Sequence, residues 1–502
     1  MCDGPADQLI PAGFRIQADP GTRLAGQILT GGAPVRLLRL SAAGARQVAA
    51  WWAGEPVPAS RAARKLARRL LDAGIAHPML DAGIAHPMPD TGIAHAMPDG
   101  AGGPGPADVT VVVPARDRLP MLAACLASLT GPGQPPVVVA DDGSADPAGV
   151  AAVAAAAGAR LVRRPRNGGP GAARNSGFAL VSTPFAAFVD SDCVVRPDWL
   201  APLLRHFADP AVGAVAPRIV PHAPGRSWLG RYEAASSALD MGPREGAVAP
   251  GGRISYVPTA ALVVRAAAIG PGFAEDVSVG EDVDFVWRLA AAGWRVRYEP
   301  RSAVEHQHRD RLRPWFGRRR HYGTSAAVLE ARYPRAVRPL YVSRWTAAAW
   351  LATALGQPAA GAAVTGAATA LLARRLTGVT GDRRMAWRLA FRLASGGTLA
   401  AARPIGAAIS RAWWPAAIPV AVAVPRLRLP LAALVLTPPL LDWADLRPPL
   451  DPARFVAGRL LGDFAYSVGL WQGCVRQRTV NPLLPATSTS GSPRSPAGQT
   501  RS

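Results

Sequence analysis

The chain is short of lysine, cysteine and acid. Lys65 is its only lysine, so nearly all of the 56 Lys+Arg residues are arginine, and against 34 Asp+Glu they leave a formal net charge of +22. The four cysteines, Cys2, Cys125, Cys193 and Cys474, lie far apart and form no C-x-x-C pair. That spacing argues against a disulfide framework, a zinc ribbon and a thioredoxin-type motif, and the expected compartment is the cytosol. The opening residues MCDGPADQLIPAGF have neither the basic nor the apolar stretch of a secretory signal. Gly 51 and Pro 50 are plentiful but follow no G-X-Y period, which excludes collagen. No zinc finger, bZIP region or aromatic RNP run accompanies the positive charge, so nucleic acid is not an expected partner. An anionic membrane surface and the phosphates of a nucleotide fit the charge better. The sequence does hold 49% hydrophobic residues, ample for packed cores, and its 502 residues suggest about three domains.

Residues 1–100 read as a small winged-helix-like domain. GQILTGGAPVRLLRLS is two apolar runs around Gly31-Gly32, a hairpin signal, and a helix is expected over Ala42–Trp52. Ser60 can cap a second helix with Leu66, Leu70 and Leu71 on one face and Gly74 as its stop. A nonamer then recurs as DAGIAHPML, DAGIAHPMP and DTGIAHAMP, placing His77, His86 and His95 in register. This is either a histidine tract for a metal or a short tandem duplication; three Pro-rich copies are too few for a solenoid. A Gly/Pro linker occupies 101–107. Residues 108–330 alternate β-branched runs with helical stretches, the rhythm of βαβ units on a parallel sheet whose strand ends bind ligands. Residues 331–480 read as a helical, membrane-associated region. Ala347–Ala373 is uncharged over 27 residues, long enough to cross a bilayer as a helix although Gln357-Pro358 interrupts it, and Arg374-Arg375 and Arg383-Arg384 flank it like a cytoplasmic edge. Ala412–Val424 and Leu429–Leu441 are shorter and suit a re-entrant or interfacial pair. Residues 481–502 read as a disordered tail.

Four motifs occur in order within the α/β region. VVVPARDR puts Pro114 and Arg116 at the end of one strand, and VVVADDGS ends the next with Asp141 and Asp142. RRPRNGGPGAARNSG carries Gly168 and then Arg174, and FVDSDC carries Asp190 and Asp192. Glu281 and Asp282 open GEDVDFVWRLAAAGW further on. A strand-end carboxylate can accept bonds from a base or ribose. A glycine turn admits backbone close to a ligand, and Arg174 can reach phosphate. Carboxylates at i and i+2 after a strand suit a hard divalent ion, Mg²⁺ or Mn²⁺, bound with a diphosphate. A separate carboxylate, Asp282, can deprotonate an acceptor hydroxyl, so displacement in line with the diphosphate inverts the reacting carbon. Each motif alone is an ordinary turn or helix start; their order on successive elements makes the case.

Residues 108–308 resemble the family 2 glycosyltransferases of GT-A fold in the segments VVVPARDR, VVVADDGS, RNGGPGAARNSG, FVDSD and EDVDFVWRLAAAGWRVRYEPRSAVEHQHR. The resemblance implies an α/β, Rossmann-like GT-A catalytic domain. By position it assigns Pro114, Arg116, Asp141, Asp142, Gly168, Arg174 and Asp190 to the nucleotide sugar and Asp190 and Asp192 to the metal. His306 matches a histidine that in some relatives reaches the metal or diphosphate, and Asp282 the base, with Glu281 beside it. Processive relatives carry Q-x-x-R-W, which RPWFGRRRHYGTSA lacks; there Arg319, Arg320 and Tyr322 are expected to form a basic lid on the diphosphate. The N-terminal segment resembles PqqD-like peptide-recognition domains, with a generic winged helix or packing appendage as the alternative. Together the three parts are similar to the mycofactocin-system glycosyltransferase family, whose members are understood to build a β-1,4-glucan from UDP-glucose on the peptide-derived redox cofactor premycofactocin. The resemblance thus implies a UDP-sugar donor, a peptide-derived acceptor, a precursor peptide at the N-terminal domain, and work at the cytoplasmic side of the membrane. The competing readings are a membrane-associated transferase acting on a lipid-linked or cell-wall saccharide, and a non-catalytic peptide- or nucleotide-sugar-binding scaffold.

Overall fold

A computed structural model describes residues 8–80, 103–223, 225, 227–308 and 310–487. These divide into two units, one holding the described residues up to His222 with Ala238–Gln307, the other holding Ala223–Ser237 with the described residues from His308 onward. The division near residue 308 falls before the expected boundary at 330, because the helix that follows packs within the second unit.

The first unit opens with a lobe of β1 (Ile16–Ala18), β2 (Arg23–Ala25), β3 (Ile28–Gly31), β4 (Arg36–Arg39), α1 (Ala42–Trp52), α2 (Arg61–Asp72) and β5 (Ala76–Pro78). The expected hairpin is one strand wider: β2, β3 and β4 form an antiparallel meander, while β5 returns to pair with β1. Ser41 and Ser60 cap the two helices by accepting from the Gly44 and Ala63 amides. Ala63, Ala67, Leu70 and Leu71 turn inward from α2 onto Trp51 and Ile75, with Leu66 partly buried beside them. Gly74 ends the helix at φ +64. The first nonamer copy is therefore a helix end and a strand, with Ile75 and Ala76 wholly buried. Its His77 ring sits 2.9 Å from the Asp19 carboxylate and 3.2 Å from the Arg297 guanidinium, as a packed structural histidine. The second and third copies, with His86 and His95, lie outside the described residues, as do 101–102 of the linker and the tail from 488.

Two bidentate ion pairs hold this lobe to the rest of its unit. Arg68 reaches Asp209 at 2.7 and 2.6 Å, and Arg295 reaches Asp72 at 3.0 and 2.7 Å. Arg68 and Asp209 are both buried. Removing one partner of such a pair strands the other charge away from water, at about 3 kcal/mol. Arg68→Ala is accordingly expected to lower the thermal midpoint by several degrees, measured by scanning fluorimetry of the full chain.

The large sheet follows: β6 (Val109–Ala115), α3 (Leu119–Leu129), β7 (Val137–Asp142), α4 (Pro147–Ala156), β8 (Arg160–Arg164), α5 (Pro170–Phe178), β9 (Phe185–Val189), β10 (Cys193–Val195), α6 (Leu200–Leu204) and β11 (Val212–Pro221). After α7 (Trp228–Ala235), which belongs to the second unit, come β12 (Gly246–Val248), β13 (Ala261–Arg265), α8 (Glu281–Ala291) and β14 (Arg295–His306). The order is β10-β14-β11-β13-β9-β6-β7-β8, with β12 also on β14. Strands β9, β6, β7 and β8 run parallel; β6, β7 and β9 are buried apolar-rich runs, as a covered parallel sheet requires, while β8, RLVRR, is the partly exposed edge. The sheet is mixed rather than wholly parallel, because β13 pairs antiparallel with β9 and β11, and β10 and β12 with β14. The motif-bearing loops leave the carboxyl ends of β6, β7, β8 and β9, and the Glu281-Asp282 pair opens α8 in the segment after β13.

The second unit is helical: α7, α9 (Leu312–Arg332), α10 (Arg344–Ala354), α11 (Pro358–Thr380), α12 (Arg383–Ala400), α13 (Ala402–Ala408), α14 (Trp414–Ala423), α15 (Arg428–Leu446) and α16 (Pro452–Arg476), with a two-strand pairing of Tyr341–Val342 on Ala486–Thr487. The uncharged stretch Ala347–Ala373 is not one helix. Gly356 at φ +80 and Pro358 break it into α10 and α11, since a left-handed residue and a missing amide both end a helical ladder. Close packing in this unit rests on glycine. On α16, a Cβ at Gly469 would strike the Arg320 carbonyl, one at Gly473 would lie 2.8 Å from the Thr324 carbonyl oxygen, and one at Gly458 would lie 2.7 Å from the Tyr232 ring. Arg426–Arg428 separates α14 from α15 as the sequence reading places it, and α15 lies largely exposed despite its apolar composition.

Candidate active site

The β7 end supplies two adjacent aspartates with different tasks. Asp142 accepts from the Gly168 and Gly169 amides, both at 2.8 Å, and from Arg164 Nε at 3.1 Å. It thus fastens the glycine-rich loop, and its oxygens are committed to protein rather than to a nucleotide. Asp141 is wholly buried; Oδ1 accepts from the Ser144 amide at 2.9 Å, while Oδ2 has no hydrogen-bond partner and only Arg163 Nε at 3.6 Å. A buried carboxylate oxygen without a donor is costly unless a ligand supplies one. Asp141 therefore has the free acceptor that a nucleobase N–H needs. Gly143, at φ +71, brings the turn so near the second loop that a Cβ would lie 2.8 Å from the Asn167 amide.

In the loop after β6 the sequence motif singles out Pro114 and Arg116. Pro114 is buried in β6, and Arg116 is exposed beside Asp117, 3.9 Å away. The informative residues are the next two. Asp117 and Arg118 both take positive φ, +57 and +53. Consecutive left-handed non-glycine residues are strained and mark functional loops. Asp117 is held by donating its amide to Ser144 Oγ and accepting from the Ala145 amide, both at 2.8 Å. This conformation presents Arg118 to Asp192, 3.5 Å away, while leaving its side chain 47% exposed. Nothing in VVVPARDR distinguishes Arg118 from Arg116 without that backbone geometry.

Asp190 and Asp192 sit in the tight turn between β9 and β10, where the Cys193 amide donates to the Asp190 carbonyl at 2.9 Å. Antiparallel pairing of β10 with β14 sets Cys193 opposite His306. The register brings His306 Nε2 to 3.4 Å from Asp192 Oδ1. Asp190 Oδ1 accepts from Arg174 Nη2 at 2.7 Å, leaving its other oxygen for a ligand. Burial pushes the Asp190 carboxyl above its ordinary value; Arg174 pulls it down and the Asp192 charge pushes it up again. Among the described residues no ready group of three or more metal ligands is assembled. Two carboxylates in mutual repulsion, with a histidine beside one of them, are nonetheless a donor set that suits a hard divalent cation.

Arg174 has a different position from the phosphate contact expected of it. It is buried, with Nη1 on Glu281 at 3.0 Å, Nη2 on Asp190 and its guanidinium 5.3 Å from the Phe273 ring centroid. It acts as a clamp that joins the start of α8 to the β9 turn. Asn175 reinforces the same junction, accepting from the Phe273 amide at 2.7 Å and donating to the Phe273 carbonyl and Glu275 at 2.9 Å. Phe273 in turn stacks on Phe285 of α8, 4.2 Å between centroids. Asp190 lies 16 residues from Arg174, but Glu281 and Phe273 lie about a hundred residues away, which puts this clamp beyond the reach of the local motif.

Asp282 stands in the first turn of α8, a favourable end for an anion. Burial and the neighbouring Glu281 charge push its carboxyl up to about 7, with the Val283 amide and Arg174 pulling the other way and Asp190 adding a further push. A carboxylate near neutrality is suited to taking a proton at physiological pH. Glu281 is spent on Arg174 and serves as the anchor of the helix start. Arg320 lies exposed on α9 of the helical unit; its neighbour Arg319 is committed to Glu233 at 2.9 Å and stacks over Trp315, and Arg318 stacks over Tyr322.

The family model described as Glycosyl transferase family 2 matches residues 110–269. The chain is 37% identical over 492 residues to the pre-mycofactocin glycosyltransferase of Mycobacterium tuberculosis, covering 96% of this chain and 99% of that protein. It is 30% identical over 212 residues to the succinoglycan biosynthesis protein ExoU of Rhizobium meliloti, covering 38% of this chain and 59% of that protein. Among solved structures, a mannosyltransferase from Pyrobaculum calidifontis aligns over 69% of this chain and 90% of its own at 19% identity and a TM-score of 0.36. A Staphylococcus aureus TarS fragment aligns over 43% of this chain and 65% of its own at 19% identity and a TM-score of 0.32. The full-length match, together with the mixed α/β sheet and its strand-end motifs, shows that the chain is a glycosyltransferase enzyme and belongs to family 2, in the group that contains the pre-mycofactocin glycosyltransferases.

Proposed function

We propose that the enzyme moves glucose from UDP-glucose onto premycofactocin with inversion, and extends the product as a β-1,4-linked chain. One observation supports the chemistry most: Arg174 ties the Asp190 turn to the α8 start that carries Asp282, near enough for the Asp190 charge to act on the Asp282 carboxyl. The acceptor and donor follow the full-length relative and its family rather than any distance in the site. Asp141 Oδ2 accepts the base N–H, and Arg118 contacts the diphosphate. Asp190, Asp192 and His306 would hold Mg²⁺ or Mn²⁺, which neutralises charge on the departing diphosphate. Asp282 takes the proton of the attacking hydroxyl on the opposite side of the anomeric carbon. The N-terminal lobe receives the peptide portion of the acceptor or its precursor, and the helical unit works at the cytoplasmic face of the membrane.

A second reading, transfer to a lipid-linked saccharide, is favoured by the exposed apolar helices. Incubating the full chain with labelled UDP-glucose, premycofactocin and membranes separates the two. Label on the small peptide-derived product, with the β configuration by NMR, is expected. Label confined to the lipid extract would overturn the acceptor assignment.

A further inference from the structure

Residues 344–428 contain eleven arginines and one acid, Asp382. The same segment exposes large apolar side chains: Trp345 is 47% exposed, Leu351 62%, Phe391 66%, Leu399 75% and Val422 68%. The two kinds of group meet on α12. Ala386 and Ala390 are its buried side. On the outward side Arg384, Arg388 and Arg392 recur every fourth residue and form one ridge, since residues four apart share a helix face. Trp387 and Phe391 form a second ridge directly beside it, both exposed. No ion pair to these three arginines occurs among the described residues, and Asp382 is used as the helix cap, accepting from the Arg384 and Met385 amides. Uncompensated arginines alternating with an exposed tryptophan and phenylalanine serve neither a water-facing helix nor an apolar core. They match an interface with anionic headgroups above and acyl chains below, where an arginine stem lies along the apolar layer and its head stays among phosphates.

We infer that α12 lies in the plane of an anionic bilayer surface, its Trp387/Phe391 ridge inserted below the headgroups and its Arg384/Arg388/Arg392 ridge among lipid phosphates. This rests on the membrane placement proposed above and gives it a chemistry: the attachment is interfacial and depends on anionic lipid. Charge complementarity selects this occupant, because a second copy of the chain would bring the same arginine ridge against itself.

The test is flotation of the full chain with vesicles of phosphatidylcholine alone and of phosphatidylcholine with phosphatidylglycerol. Wild-type chain is expected to bind the mixed vesicles at least tenfold more strongly, and increasingly weakly as salt rises. The triple Arg384→Gln, Arg388→Gln, Arg392→Gln variant is expected to lose on the order of tenfold in binding to mixed vesicles. A Trp387→Ser, Phe391→Ser variant is expected to lose binding while keeping its secondary structure by circular dichroism. Equal binding of wild type and triple variant to both vesicle types would overturn the inference while leaving membrane attachment intact. Failure of wild type to float with either would overturn both. Self-association in lipid-free buffer that the triple variant abolishes would overturn it in favour of a contact between copies.

Discussion

Asp282→Asn is expected to lower kcat by about 10³-fold, within the 10²–10⁴ range that a positioned general base contributes, and to leave the donor KM within a few-fold of wild type. The reason is local. Asparagine keeps the size of the side chain and its place in the α8 first turn but cannot take the acceptor proton. The pH dependence carries the same signature. With the carboxyl pushed up to about 7 by burial and by Glu281, it is protonated and inactive as a base in mildly acidic solution, so kcat/KM rises with pH through about 7. The Asn variant loses that limb. Stability moves in the opposite direction. An aspartate that ionises near 4 when unfolded and near 7 when folded binds its proton more tightly in the native state. Its charge therefore weakens the fold progressively between those values and fully above pH 7. Asp282→Asn is thus expected to melt higher than wild type at pH 8 and at the same temperature near pH 4. Scanning calorimetry at the two pH values reads this directly.

The second large effect belongs to Arg174. Its removal leaves Asp190 and Glu281 without their shared cation in a region where both are partly or wholly withdrawn from water. Breaking a buried pair costs about 3–5 kcal/mol, and here one guanidinium serves two carboxylates. Arg174→Ala is expected to lower the thermal midpoint by roughly 5 °C or more and to abolish transfer, because α8 and the β9 turn are no longer held together. Arg174→Lys retains the charge but not the planar fork, and one ammonium on a flexible stem does not reproduce two directed bonds. It is expected to recover much of the stability but to remain about 10²-fold slow. A Lys variant with full activity would show that the forked geometry is dispensable.

Much of the site was legible in the sequence because strand-end motifs are local. Asp190, Asp192 and the Glu281-Asp282 pair each follow a β-branched run or open a helix, and the sheet brings their ends to one side. What escaped depends on contacts between distant segments. Asp141 and Asp142 are equivalent in VVVADDGS; only the packing of the glycine loop commits Asp142 to the Gly168 and Gly169 amides and leaves Asp141 free. Arg174 looks like a phosphate ligand until the α8 start arrives beside it. Arg118 becomes a candidate only through its left-handed backbone, whereas His306 is expected from the resemblance and the β10–β14 register then sets it beside Asp192. In the helical unit, composition suggested one long uncharged helix where Gly356 and Pro358 make two.

Asp190 and Asp192 would hold a divalent cation that binds the donor diphosphate. Titration calorimetry of UDP-glucose binding to the full chain, with Mn²⁺ or with excess chelator, reads that role. Wild-type chain is expected to bind the donor at least tenfold more tightly with Mn²⁺, and Asp192→Asn to lose that enhancement while keeping the weak cation-free binding that Asp141 supports. Equal donor affinity with and without the cation, or an Asp192→Asn variant that responds to Mn²⁺ as wild type does, would contradict the account.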